Sequence, residues 1–271
     1  MNGIVPVKLS PECDNGSFRR AKTAKLRAIK KLVKENMGYL ESPDHLDFLS
    51  RELRNRYGVE DTDAVSSNQY DPMALEIIER CREGMVLDCG AGKRDCYFPN
   101  VVNYEIVPYP STDVLGVGEI LPFKDESFDA VFSLAVLEHV KDPFQCAREI
   151  SRVLKKGGVL YCVVPFLQPF HGYPNHYFNM THKGLATLFE DSLKIERQEV
   201  IASGLPVWSL SWILGSWVNG LEGETREAFL NMKVSDLIGN PIDYLDKAFV
   251  TQLSPEKNFE LASTTALIAR K

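Results

Sequence analysis

Met85-Val86-Leu87-Asp88-Cys89-Gly90-Ala91-Gly92 is the stretch whose reading decides the fold. A short apolar run ends in an acid and passes at once into a Gly-x-Gly turn. Apolar side chains on both faces predict a parallel strand buried inside a sheet. The glycines permit positive φ and carry no Cβ to obstruct a ligand. A carboxylate followed by bare backbone, at the carboxyl end of a first strand, is where doubly wound sheets bind nucleotides. Taken alone, Gly-x-Gly also suits a plain strand-to-loop turn, so the flanking sequence must decide.

Just upstream, Asp71-Pro72 combines a helix cap with proline at the first helical position, and Ala74, Leu75, Ile77 and Ile78 give that helix a buried side. Downstream, Val101-Val102-Asn103-Tyr104-Glu105 reads as a second strand ending in an acid, Thr112 to Leu115 as a third and Phe128 to Ser133 as a fourth. Asp142-Pro143 opens a helix to about Leu154, closed by Lys155-Lys156-Gly157-Gly158. A fifth strand is expected over Val159 to Val164, a helix over Thr181 to Phe189, and two further strands over Leu193 to Ile201 and Leu261 to Ala269. Residues 203–258 between them read as a mostly helical insertion. At the other end, residues 1–16 suggest an irregular arm. A basic amphipathic helix is expected from Ser17 to Leu40 and a second helix after Ser42-Pro43, through Leu46, Leu49, Leu53 and Tyr57. The expected class is α/β: a Rossmann-like, seven-stranded, doubly wound sheet with an antiparallel last strand. A helical N-terminal segment (1–70) precedes a main domain (71–271) that carries a cap-like insertion (203–258).

The 271 residues are 44% hydrophobic and 25% charged, ordinary for a globular chain. Residues 1–40 hold nine bases and three acids, +6, against a total of −6, which leaves −12 on the remainder. The basic helix suits either a solvated face or a phosphate contact. No aromatic residues are interleaved with its bases as single-strand binding would require, so no nucleic-acid partner is expected. Six scattered cysteines with no Cys-x-x-Cys pair read as reduced thiols of a cytoplasmic protein. The charge-free window Val200 to Leu221 is long enough to span a bilayer, but Pro206, three glycines and several serines break it, and no membrane partner is expected.

Further motifs follow in order: Gly116-Val117-Gly118-Glu119, Leu137-Glu138-His139-Val140 and Arg152-Val153-Leu154-Lys155-Lys156-Gly157-Gly158. With the Asp88–Gly92 turn and Glu105, seventeen residues after Asp88, this set resembles a class I S-adenosylmethionine-dependent methyltransferase. The likeness is to the small-molecule type that includes ubiquinone- and menaquinone-pathway enzymes. It implies S-adenosylmethionine as cofactor, with Asp88, Gly90 and Gly92 at its methionine part and Glu105 on its ribose. Gly118 and Glu119 would edge the adenine, and Ser133 and Leu134 would face the amino-acid end. Three departures stand out. Lys93 replaces a third glycine. Val117 replaces an aspartate that would contact the adenine amino group. Some ubiquinone-pathway members bind a divalent metal around the Glu-His pair, but Ala135 stands where their other glutamate would be, so no metal is expected here.

Methyl transfer from a sulfonium is an in-line displacement, and a hydroxyl acceptor also needs a base. Four of the five histidines fall between His139 and His182, and His171 and His176 flank a Gly-Tyr-Pro-Asn turn after the fifth strand. Imidazole titrates near neutrality, so His171, His176 and His139 are the candidate bases. Tyr173 and Tyr177 in that loop, with Trp208 and Trp212 four apart in the insertion, are candidates for lining the substrate pocket. The expected function is methyl transfer to an oxygen or nitrogen of a small biosynthetic metabolite, with homodimerisation left open. The rivals are an RNA methyltransferase using the basic helix and a cofactor-binding scaffold protein without turnover.

Overall fold

The computed structural model describes residues 4–9, 15–60, 65–172 and 175–270. They form two compact units, one of Met1–Phe166 with Gly172–Arg197 and one of Leu167–His171 with Gln198–Lys271.

The first unit runs β1 (Val7–Lys8), α1 (Asn15–Leu32), β2 (Leu40–Glu41), β3 (Leu46–Asp47), α2 (Arg51–Tyr57), α3 (Pro72–Arg80), β4 (Val86–Cys89), β5 (Cys96–Tyr97), β6 (Val101–Glu105), β7 (Val114–Leu115), β8 (Phe128–Leu134), α4 (Pro143–Val153), β9 (Leu154–Val163) and α5 (His182–Phe189). A seven-stranded sheet has the order β2-β3-β7-β6-β4-β8-β9. All its neighbours are parallel except β2 and β3. The strand β4 sits at its centre, because every one of its four residues is buried. Period-2 alternation sends its side chains to two covered faces. Leu87 and Cys89 join Val102, Tyr104 and Val131 against α1 and α4, whereas Val86 joins Val101, Ala130 and Phe132 against Ala74, Ile77 and Ile78 of α3. The result is a doubly wound three-layer core.

The α/β class and the seven-stranded, mostly parallel sheet are as expected, but the antiparallel strand lies at the other edge. It is β2, close to the N-terminus. Neither 193–201 nor 261–269 is a strand; both are irregular or helix-terminal, and both are largely exposed. Alternation makes a strand only where an edge is available to pair and a face to bury. Leu267 and Ile268, 90% and 94% exposed, have neither.

The N-terminal third also departs from expectation. The helix α1 stops at Leu32, and Ser42-Pro43 opens no helix. Ser42 instead ties a tight turn, its Oγ accepting from the His45 N–H at 2.9 Å, so that Leu46 can pair with Val114 in the sheet. The helix after it is only α2, capped by Ser50. Val7–Lys8 of the supposed arm pairs with Cys96–Tyr97. Asp71 caps α3 as its sequence predicts, although Leu75 faces outward at 44% exposure.

Two bases of the basic helix are structural. Lys25 is buried, with Nζ 2.8 Å from Asp113 and over the Tyr97 ring; burial pushes it down to about 8. Lys22 donates to the Pro110 carbonyl at 2.5 Å.

The second unit holds α6 (Pro206–Asn219), α7 (Gly223–Leu230), α8 (Val234–Leu237), α9 (Ala248–Thr251) and α10 (Pro255–Leu261). Its small core is Leu221, Phe229 and Leu253 with Trp217, which stacks on Phe229 at 5.8 Å and donates Nε1–H to the Phe249 carbonyl. Among the described residues no helix is long and apolar enough to cross a membrane.

Candidate functional site

The sheet order reverses at β4, with β6 on one side and β8 on the other. The carboxyl ends of these strands open the crevice in which such sheets bind ligands. The register sets Cys89 beside Tyr104, Asp88 beside Phe132 and Glu105 beside Leu115. Asp88, Gly90, Gly92, Glu105, Ser133 and Leu134 therefore converge on this one end.

Gly90 and Gly92 have φ of 83° and 63°, the left-handed region that favours glycine. Side chains are excluded by space as well: a Cβ at Gly90 would lie 2.4 Å from Val136, and one at Gly92 would lie 2.8 Å from the Ser66 carbonyl oxygen. The turn is held from β6, where the Tyr104 carbonyl accepts from the N–H groups of Gly90 and Ala91. Glu105 Oε2 accepts from Gly92 N–H at 2.7 Å and its Oε1 from Ile106 N–H at 2.7 Å. Burial nevertheless pushes the Glu105 carboxyl up, against the pull of the backbone N–H groups of Gly92, Ile106 and Val107.

Asp88 is wholly buried. Its Oδ2 accepts from Tyr70 Oη–H at 2.5 Å and from Arg94 at 2.7 and 3.1 Å, while Oδ1 is buried with no hydrogen-bond partner. The Glu119 Oε1 and Ser133 Oγ atoms are likewise buried without partners. Gly118 packs on Cys146 Sγ, 2.7 Å from where its Cβ would be. Val117 is buried against Leu49 and Leu115. Tyr70 and Arg94 were not identified from sequence. The available signal was a base six residues after Asp88 and two before the apolar run Cys96-Tyr97-Phe98.

The loop after β8 bends at Ala135, φ 56°, and brings Glu138 inward. Its side chain is buried with neither oxygen hydrogen-bonded, and burial pushes the carboxyl up to about 8. His139 Nε2 stands 3.8 Å from Glu138 Oε1, and its Nδ1 contacts the Asn175 carbonyl at 2.7 Å. The His176 ring centroid is 5.7 Å from that of His139, and His176 Nε2 meets Asn179 Oδ1 at 3.0 Å. The Tyr177 N–H donates to the Glu138 carbonyl, and Tyr177 is 36% exposed. Within the first unit, then, His139, His176 and Tyr177 share one neighbourhood. His171 belongs to the second unit, where its ring lies 4.9 Å from Trp212. Trp208 and Trp212 are exposed there. Tyr173 lies outside the described residues.

The buried Glu138 has a measurable consequence. Its folded-state pKa, about 8, exceeds the ordinary 4.5, so between these values the folded state holds a proton that the unfolded chain has lost. Its contribution to stability therefore falls as pH rises through this window, and the penalty is complete above about 8. Glu138→Gln has no charge to desolvate. Thermal melts should show it gaining stability relative to wild type between about pH 5 and about pH 9. A difference that does not change with pH would contradict the burial of an ionisable Glu138.

The Gly-x-Gly turn, the two strand-end acids and the Glu-His loop lie in or beside the part of the chain that is similar to known methyltransferase domains. Residues 89–162 match the family model described as a methyltransferase domain. The chain is 38% identical over 78 residues to an uncharacterised methyltransferase of Mycobacterium leprae (strain Br4923), covering 28% of each protein. It is 26% identical over 163 residues to the uncharacterised methyltransferase YcgJ of Bacillus subtilis (strain 168), covering 51% of this chain and 62% of that one. The solved structure of YcgJ superposes with a TM-score of 0.35 at 18% identity, over 54% of this chain and 81% of that one. The chain thus spans less than two thirds of the length of either curated relative. The similarity is to methyltransferases over part of the chain, and none of these matches speaks for a ubiquinone or menaquinone pathway.

Proposed function

We propose that this protein transfers a methyl group from S-adenosylmethionine to an oxygen or nitrogen of a small biosynthetic metabolite in the cytoplasm. The observation that carries this reading is the Gly90–Gly92 turn, set between Asp88 and Glu105 with buried acceptors unsatisfied around it. A buried acceptor without a donor costs about 1–3 kcal/mol. A ligand bearing an ammonium group and an amino-substituted base would offset that cost at Asp88 Oδ1 and Glu119 Oε1. S-adenosylmethionine has both, in its methionine part and its adenine, and it supplies a sulfonium methyl that a nucleophile can displace. The Glu105 carboxylate, which accepts from backbone N–H groups, has about four lone-pair sites and so keeps capacity for a ribose hydroxyl.

The acceptor class rests on charge. Two bases of the helix, Lys22 and Lys25, are buried in internal bonds, and the chain beyond residue 40 is acidic. This favours a small metabolite over RNA.

Calorimetry tests the reading. Wild type should bind S-adenosylmethionine. Glu105→Ala should bind it more weakly by roughly tenfold to a hundredfold for each charge-assisted bond lost. The absence of binding to wild type, or equal binding by both proteins, would overturn the assignment.

A further inference from the structure

We propose that Tyr70 and Arg94 are positioning residues that latch the segment 65–70 as a strap across the Gly90–Gly92 turn, so that cofactor exchange requires the strap to release. The inference rests on the cofactor reading above and goes beyond it: the turn is not only bound by Glu105 from within the sheet but also fastened from outside.

The strap is tied at four points. The Ser66 carbonyl accepts from Lys93 N–H at 2.8 Å, and Ser67 and Lys93 form an isolated parallel bridge. The Arg94 Nη1–H donates to the Asn68 carbonyl at 2.5 Å. Gln69 Nε2–H donates to Asp95 Oδ2 at 2.9 Å. Tyr70 Oη–H donates to Asp88 Oδ2 at 2.5 Å. The guanidinium of Arg94 makes this one unit. It binds Asp88 through Nε and Nη2, lies 4.0 Å from the Tyr70 ring centroid and holds the strap backbone with its remaining arm. A planar five-donor fork can serve carboxylate, carbonyl and ring at once, which a lysine ammonium cannot. Arg94 is itself 5% exposed, so these bonds are shielded from water.

Gly92 explains why the strap and turn must move together. The Ser66 carbonyl oxygen sits 2.8 Å from the point a Cβ there would occupy, so the strap rests directly on the bare backbone of the turn. Access to that backbone from the strap side is closed while the latch holds. Asp88, the acid at the base of the turn, has one oxygen engaged by the latch and one buried and unpartnered. The latch therefore fixes which Asp88 oxygen is left for a ligand.

Three measurements on the full chain test this. Stopped-flow dissociation of S-adenosylmethionine and of S-adenosylhomocysteine should be faster in Tyr70→Phe by roughly tenfold, since one bond to a charged acceptor is lost. The ring under the guanidinium remains. Arg94→Lys should show faster dissociation too, because the bond to Asn68 is lost while the charge facing Asp88 is kept; it also guards against a variant that fails to fold. Hydrogen exchange at the Lys93 amide should quicken in both variants. If melting temperatures fall while dissociation rates and Lys93 exchange stay at wild-type values, the residues are merely structural and the latch is overturned. If wild type binds neither nucleoside, the cofactor reading itself fails and the latch with it.

Discussion

Asp88→Ala should lower the unfolding free energy of the cofactor-free chain by about 3–5 kcal/mol, the loss expected when one partner of a buried ion pair is removed. Asp88 is 0% exposed and Arg94 5%. Without the carboxylate, the guanidinium keeps its bond to Asn68 and its place over Tyr70 but has no counter-charge, and the Tyr70 hydroxyl loses its acceptor. The cost arises from stranding a buried charge, not from the worth of the pair. It follows that Asp88→Leu combined with Arg94→Met should recover most of the loss, since an apolar pair of similar volume is often neutral or better. Urea unfolding of the wild type and the single and double variants measures this. A single variant within about 1 kcal/mol of wild type would show that Arg94 reaches water, contrary to its burial here.

The same pair marks where the sequence stops being readable. The buried strand β4 was legible because four consecutive residues are covered on both faces, and an apolar run states that directly. The glycine turn was legible because positive φ and close approach leave few other residues. Glu105 was legible as a strand-end acid because it closes the buried run Val101 to Tyr104. Tyr70 and Arg94 were not: their roles depend on a contact across more than twenty residues and on a strap whose composition is that of an ordinary linker. Ser42-Pro43 misled for the opposite reason. A cap records a local hydrogen bond, and Ser42 makes one, but whether a helix follows is decided by Leu46, which gains more from pairing with Val114 in a buried sheet. The outer strands expected at 193–201 and 261–269 failed because alternation says which face a strand would bury, not whether an edge awaits it. Edge positions are taken instead by β2 and β9.

The largest expected effect concerns the base. A hydroxyl acceptor must give up its proton as the bond to carbon forms, and losing a positioned base should cut turnover about 10²–10⁴-fold. The hydrogen bonds fix which nitrogen of each imidazole carries the proton. A carbonyl oxygen can only accept, so the contact of His139 Nδ1 with the Asn175 carbonyl puts the proton on Nδ1 and leaves Nε2 as the acceptor nitrogen. The contact of His171 Nδ1 with the Pro169 carbonyl at 2.9 Å does the same there. His176 is set the other way, its Nε2 donating to Asn179 Oδ1. His139 has in addition a buried carboxyl beside its Nε2, held protonated at neutral pH by a pKa of about 8. That carboxyl would take on charge more readily once the imidazole became cationic. His139→Ala, His171→Ala and His176→Ala, each assayed for turnover and for cofactor affinity, separate the three. A loss of two to four orders of magnitude in one variant, with cofactor affinity unchanged, identifies the base, because none of the three rings is assigned to the adenosine. Replacing Glu138 by Gln should then shift the pH profile of turnover if His139 is that residue. Near-wild-type turnover in all three variants would remove the base from the mechanism and point to an amine acceptor, whose lone pair needs no proton taken before attack.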